Sequence, residues 1–295
     1  MTRRRFIADI WTPTSATLTG DQAAHLARVL RAEPGQIYDV VAGGFLHRGE
    51  ITAVTPEAVH LLLHEELESD TALPLHLLIA VFKFDHLEWG IEKATELGVA
   101  AITPILARRT EKHLAQSSHT RVARWRRIAL ETSKQSRRTS VPAIADPVPL
   151  QQALLTTRQI PNRILLSEIE QATPLLQALH QAHSRRHERD QDTTALQAAV
   201  VSTGSHPPTT VISTEVNPRS GVISTGAQPI GETPVFRGAL ATTHALAIGP
   251  EGGWTTEELD LFGGHHWQPV TLGPRILRAE TAAIAAIAIA AAHLG

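Results

Sequence analysis

A chain of 295 residues, 42% hydrophobic and 19% charged, has enough apolar material for one large or two ordinary domains with buried cores. It contains no cysteine, which excludes disulfides, iron–sulfur clusters and thiolate zinc sites. The formal net charge of −2 gives no global case for a nucleic-acid partner.

The first residues, MTRRRFIADIW, are basic but lack the apolar core of a secretory signal. Residues 1–72 read as a small β-rich unit. In it, Thr19-x-x-Gln22 reads as a capping box for a short helix carrying Leu26, Val29 and Leu30. Strand-like pieces follow at Gln36–Val41, Phe45–Ile51 and Ala58–His64, separated by Gly43-Gly44 and Thr55-Pro56, a pattern that suggests a small barrel. The acidic stretch Glu65–Asp70 and Pro74 mark a boundary, and 73–295 form the second domain.

After Pro74 the period changes. Leu75–Phe82 is a nearly continuous apolar run, as expected of a strand buried on both faces. Asp85-x-x-Glu88 opens a helix bearing Leu87, Ile91 and Ala94, which Gly98 closes. A strand at Val99–Leu106, a helix at Thr120–Arg138, a strand at Ile164–Ser167 and a helix at Ala172–Ala182 come next. Ala245–Ile248 is a strand running into Gly249, Thr255-x-x-Glu258 caps a helix, and Val270–Leu272 is a strand before the last helix. Alternating β and α elements imply an α/β domain with a parallel sheet covered by helices. The Ala282–Ala292 run in the last helix falls well short of the ~20 residues that span a bilayer, so a cytoplasmic protein without a membrane partner is expected.

The tract 183–237, rich in Ser, Thr, Gly, Pro and charge, reads as a largely disordered surface insertion. Weak strands are conceivable at Val211–Ser213 or Val222–Ser224. His183 and His187 have helical metal-ligand spacing, but without an accompanying carboxylate pattern they read as solvated, and no metal is expected.

Three constellations could carry chemistry. Ile248-Gly-Pro-Glu-Gly-Gly253 stands at a strand's carboxyl end and before a helix, where ligands of open α/β sheets bind. Its spacing fits neither a dinucleotide fingerprint nor a phosphate loop. LGPRILRAET, 272–281, sets Arg275, Arg278 and Glu280 at the mouth of the last helix, either as a self-contained Arg–Glu pair or as ligand-facing charges. Finally, Arg108–Arg138 holds ten basic residues against two acidic ones. Arg124, Arg127, Lys134 and Arg138 fall on one helical stripe with Glu131, a pattern of either a solvated face or a polyanion-binding face.

Together these residues resemble the RsmE family of 16S ribosomal RNA (uracil-N3)-methyltransferases. The matching stretches are Lys83-Phe-Asp-His-Leu-Glu88, Ile91–Val99, Thr103-Pro104, Arg109, Gln135-Ser136, Arg138 and Pro142, followed by the two glycine-bearing motifs just quoted. Val29-Leu-Arg31 and Gly35 match its PUA-like N-terminal barrel. The resemblance implies a SPOUT methyltransferase domain whose C-terminal chain is threaded as a deep trefoil knot. It also implies S-adenosylmethionine as methyl donor, a homodimer, and the small ribosomal subunit's 16S rRNA near the decoding site as partner. By position, the cofactor loops are Leu166, Ser167 and Glu168; Gly249, Pro250, Glu251, Gly252 and Gly253; and Leu272, Gly273, Pro274, Ile276 and Leu277.

On that resemblance, Arg275 or Arg278 would hold the O2/O4 edge of a uridine anion, with Glu280 orienting the guanidinium. Arg3, Arg4, Arg5, Arg28, Arg31, Arg109, Arg124, Arg127, Lys134 and Arg138 would track the RNA backbone. Lys134 and Arg137 stand where family members usually carry Glu and Gly. Two other readings remain: a SPOUT enzyme acting on another RNA position, and a ribosome-binding module that kept the fold without catalysis.

Overall fold

The computed structural model describes residues 5–68, 72–168, 173–182, 184 and 242–294. The chain divides into two compact units, 1–180 with 236–295, and 181–235, of which only residues 181, 182 and 184 are described. The strands considered at Val211–Ser213 and Val222–Ser224 and the pair His183/His187 lie outside the described residues, as do Arg3 and Arg4.

The first sheet is a curled, mostly antiparallel one. It contains β1 (Arg5–Ile7), β2 (Ile10–Trp11), β3 (Ser15–Thr19), β4 (Ile37–Ala42), β5 (Phe45–Val54) and β6 (Ala58–Leu67), in the order β1-β4-β5-β6-β3-β2. Alternate side chains turn inward: Leu18, Val40, Ile51, Val59 and Leu61 form its core with Leu26. Register shifts in the β5–β6 pairing curl the sheet around that core. Gly43 and Gly44 turn β4 into β5 with φ of 62° and 92°, values only glycine adopts freely.

A short helix, α1 (Gly20–Ala24), runs into a single π-helical turn, His25–Val29. The expected capping box is absent: Thr19 makes no side-chain cap bond. Instead Gln22 pairs with the backbone of Ile7, accepting from its N–H at 3.2 Å and donating to its carbonyl at 2.9 Å. The amide therefore ties α1 to β1 rather than closing the helix on itself. Leu26 is buried, whereas Val29 is 65% exposed, because the wider π turn rotates it off the apolar face.

The second sheet is parallel throughout. Its strands are β7 (Leu73–Ala80), β8 (Val99–Leu106), β9 (Ala143–Ile144), β10 (Val148–Pro149), β11 (Asn162–Leu166), β12 (His244–Ile248) and β13 (Gln268–Val270). They run in the order β10-β8-β7-β12-β11-β13, with β9 also on β8. Six helices accompany them among the described residues: α2 (Phe84–Glu96), α3 (Lys112–Gln135), α4 (Leu150–Thr156), α5 (175–182), α6 (Thr256–Gly264) and α7 (Ala279–Leu294). On one face, α2, α3, α5 and α7 pack against Leu75, Leu77, Ile79 and Leu246. On the other, α4 and α6 cover Leu78, Ala80, Ala245 and Ala247, with Trp254, Phe262 and Trp267 stacked edge to face. Burial on both sides explains why β7 and β12 read as continuous apolar runs.

Helix α3 begins eight residues earlier than its periodicity suggests. Its first two turns carry only Leu114 as a large buried side chain, and Ser118 is buried by bonding its hydroxyl to the Ala115 carbonyl at 2.7 Å. The helix ends in a Schellman turn: Arg138 N donates to Ser133 O at 3.0 Å and Arg137 N to Lys134 O at 3.4 Å. Arg137 takes the left-handed position with φ 59°. Glycine takes this left-handed position without strain, whereas the Arg137 side chain makes it costly.

Candidate active site

Strands β11, β12 and β13 lie side by side, so the loops leaving their carboxyl ends are neighbours. These loops, 166–168, 249–254 and 271–278, enclose a cleft of about 850 Å³. Every residue expected of the three cofactor loops lines it, together with Arg109, Arg275, Arg278 and, unforeseen, Lys83, His86, Trp254 and Thr271.

The loops are shaped by specific bonds. Trp254 tucks beneath Gly249 and donates its indole N–H to the Leu166 carbonyl at 3.2 Å, stitching the first loop to the second. A Cβ on Gly249 would stand 3.1 Å from that indole nitrogen. Gly253, with φ 71°, closes a turn by donating its N–H to Pro250 O at 2.9 Å. Gly273 has φ 118°, a conformation closed to side-chain-bearing residues, and the Thr271 hydroxyl brackets it. The expected capping box on α6 is present: Thr255 Oγ1 accepts from Glu258 N, and the Glu258 carboxylate accepts from Thr255 N at 2.9 Å.

The same Glu258 carboxylate accepts from Arg108 N at 2.8 Å. Beside it, the Arg109 guanidinium donates to the carbonyls of Gly252 and Trp254. The segment after β8 thus holds the 249–258 loop at two points. Arg109, read from sequence as a backbone-tracking residue, stands in the cleft with its guanidinium on the glycine loop.

Around the mouth, Ile276 is 82% exposed and Leu272 and Leu277 are half-buried, an apolar edge beside charge. Arg275 and Arg278 are exposed, and neither makes an ion pair among the described residues. Glu280 does not orient either arginine. It is buried, only 3% exposed at the first turn of α7, and its Oε1 lies 3.5 Å from Nδ1 of His86 at the start of α2. Glu251 Oε1 lies 3.9 Å from the same nitrogen.

The basic stripe of α3 splits. Arg124 donates through Nε to both oxygens of the buried Glu88 carboxylate, at 2.8 and 2.9 Å. Arg121 lies 3.9 Å from that carboxylate and over the Phe84 ring. Lys134 pairs with Glu131 at 3.3 Å. Arg138 turns inward and donates to the carbonyls of Thr95, Gly98 and Val99 at 2.7, 3.1 and 3.0 Å. It thereby satisfies the end of α2, and burial lowers its pKa to about 10. Arg5 donates to the Arg137 carbonyl, joining β1 to the end of α3. Arg28, Arg31 and Arg127 are exposed with no ion pair among the described residues.

The cleft's unforeseen members carried a faint signal. His86 belongs to the Lys83-Phe-Asp-His stretch opening α2, but its neighbour Glu280 is far away in sequence and only the sheet order unites them. Trp254 ends the glycine run, and a large indole next to three glycines marks a packed loop.

The sequence profile of the RNA methyltransferase domain matches residues 69–195 and 224–291. A ribosomal RNA small subunit methyltransferase E from Synechocystis is 30% identical over 93% of this chain and 72% of its own length. One from Bacillus subtilis is 28% identical over 92% of this chain and 87% of its own. Among solved structures, a methyltransferase of Legionella pneumophila in complex with the cofactor SAM superposes with a TM-score of 0.64. It is 25% identical and covers 99% of this chain and 98% of its own. A ribosomal RNA small subunit methyltransferase E from Neisseria gonorrhoeae, bound to S-adenosyl methionine, also gives 0.64 at 23% identity, over 97% of this chain and 96% of its own.

Proposed function

The chain belongs to the ribosomal RNA small subunit methyltransferase E family, and from that premise we propose that it methylates N3 of a uridine in 16S rRNA, using S-adenosylmethionine. The observation that carries the proposal is the cleft: three loops at the carboxyl ends of adjacent parallel strands, in a family whose relatives are solved with that cofactor.

The residues present suit such a ligand. At about 850 Å³ the cleft is in the range of small-molecule sites. Leu166, Leu272 and Leu277 offer an apolar slot for a purine, and the turn 249–253 offers backbone groups at its edge. A side chain at Gly252 would crowd Arg109, whose Cδ lies 3.3 Å from where its Cβ would stand. When bound, S-adenosylmethionine supplies an electrophilic methyl group on a sulfonium. The chain's own task is then to hold the base edge and manage its imide proton. Arg275 and Arg278, exposed and free of ion pairs among the described residues, suit the O2/O4 edge, whose negative charge grows as N3 loses its proton.

Arg28, Arg31 and Arg127 are the cations best suited to the RNA backbone, since they carry charge that no acid in the described structure neutralises. A ribosomal substrate is met in the cytoplasm. The trefoil knot belongs to this reading through the family resemblance of the 248–253 and 272–281 motifs. A homodimer is supported by α7, which has no Asp, Glu, Lys or Arg after Glu280 yet leaves Ala288 and Ala292 exposed, and by Trp89 of α2, 48% exposed. Titration calorimetry with S-adenosylmethionine tests the cleft. Saturable binding that Gly249→Ala weakens at least about tenfold is expected, by the clash with Trp254. Absence of heat at millimolar ligand would contradict it.

A further inference from the structure

We infer that His86 and Glu280 form a proton-accepting pair at the cleft, in which Nε2 of His86 takes the N3 proton of the target base and Glu280 is the positioning residue. The inference rests on the proposed reading that the target is a uridine N3.

Three observations carry it. His86 lines the cleft, and its side chain is 37% exposed although Nδ1 is solvent-inaccessible, so the exposed edge of the ring is the Nε2 side. Glu280 is buried behind it, with Oε1 3.5 Å from Nδ1 and Oε2 solvent-inaccessible and without a hydrogen-bond partner. The two residues sit at the first turns of α2 and α7, which pack together, so neither position depends on a loop. Nδ1 of His86 and Oε2 of Glu280 are both buried without a hydrogen-bond partner, and placing the ring proton on Nδ1, facing the carboxylate, leaves neither group stranded. The gap is slightly wider than a hydrogen bond, as is common before a catalytic site closes on its substrate. Glu251 is the weaker partner: it is 3.9 Å away, its side chain is 43% exposed, and water screens it.

A proton on Nδ1 leaves the Nε2 lone pair free toward the cleft. The N3–H bond of the base breaks, its electron pair stays on N3, and the proton moves to Nε2. Water removes that proton after turnover. Glu280 stabilises the transient imidazolium, and Arg275 or Arg278 stabilises the base anion, so the two charges that develop meet separate counter-charges. Asp85 precedes His86 in α2, Lys83 is the residue just before that helix, and Lys83, Arg109 and Glu168 complete the charged lining of the cleft.

The test uses the full chain with ¹⁵N-labelled histidine. The ¹⁵N spectrum is expected to show His86 as the Nδ1–H tautomer, and Glu280→Gln to shift it toward a mixture. His86→Ala is expected to slow single-turnover methylation of 16S rRNA by roughly 10²-fold or more. Calorimetric affinity for S-adenosylmethionine should stay within about twofold, and added imidazole should restore part of the rate. An Nε2–H tautomer in the parent protein, a His86→Ala rate within about threefold of the parent, or a loss that imidazole cannot rescue overturns the pair. If Glu280→Gln does not fold, the parent spectrum and the His86→Ala rate decide alone. A parent protein that leaves the uridine unmethylated contradicts the proposed function instead.

Discussion

Arg138 and Arg137 are adjacent arginines with opposite effects on stability. Arg138 satisfies three carbonyls at the end of α2, so Arg138→Ala should destabilise the fold by about 2–3 kcal/mol in urea denaturation while leaving RNA affinity nearly unchanged. Arg137 holds a left-handed conformation that glycine adopts without strain, so Arg137→Gly should stabilise by up to about 1 kcal/mol in the same measurement. His76 gives a pH signature. Burial lowers its pKa from 6.5 to about 4, while its Nε2 is hydrogen-bonded to the Thr103 hydroxyl at 2.8 Å. Between these values the unfolded chain binds a proton that the folded chain does not. Stability from this site is therefore complete above about pH 6.5 and falls as pH drops toward 4, by roughly 1.4 kcal/mol per pH unit. His76→Gln should flatten that part of the stability profile. At this scale the sequence is least readable: it displays the charge of Arg124, but not that Glu88 neutralises it, because pairing depends on how α2 and α3 pack.

At the scale of elements, the apolar runs of β7, β8 and β12 and the capping box of α6 were legible because each is a local pattern with one physical reading. The start of α3 was not, since its first turns bury serine and little else. Nor was the failure of Thr19 and Gln22 to cap α1, because the competing partner, the Ile7 backbone, belongs to another strand. The glycine loops could be located by sequence, but the role of Arg109 in holding them comes from the pairing of β8 with β7, whose other neighbour is β12. For RNA binding, the exposed cations predict a division of effects. Reversing Arg28, Arg31 and Arg127 together should weaken rRNA affinity and lower the magnitude of its salt dependence by about 2–3. Arg124→Ala should act mainly on stability, by stranding the buried Glu88 carboxylate. Filter binding across a salt series distinguishes the two.

The whole molecule joins a curled β-sheet unit to a parallel sheet whose strand order brings three loops to one edge. No periodicity reports that order. The family resemblance implied only that the three loops share a cofactor, and the sheet pairing explains why residues as distant as Leu166, Gly249 and Leu272 line one cleft. The proposed dimer is testable at the uncharged outer face of α7. Ala288→Glu should convert it to a monomer by light scattering, and an unchanged mass would place the interface elsewhere. The central claim is tested most directly by incubating purified protein with 16S rRNA that lacks the modification and with methyl-labelled S-adenosylmethionine, then digesting the RNA for mass spectrometry. The account predicts one labelled nucleoside with the fragmentation of N3-methyluridine. Label on a ribose, on another base, or on no nucleoside at all would contradict it.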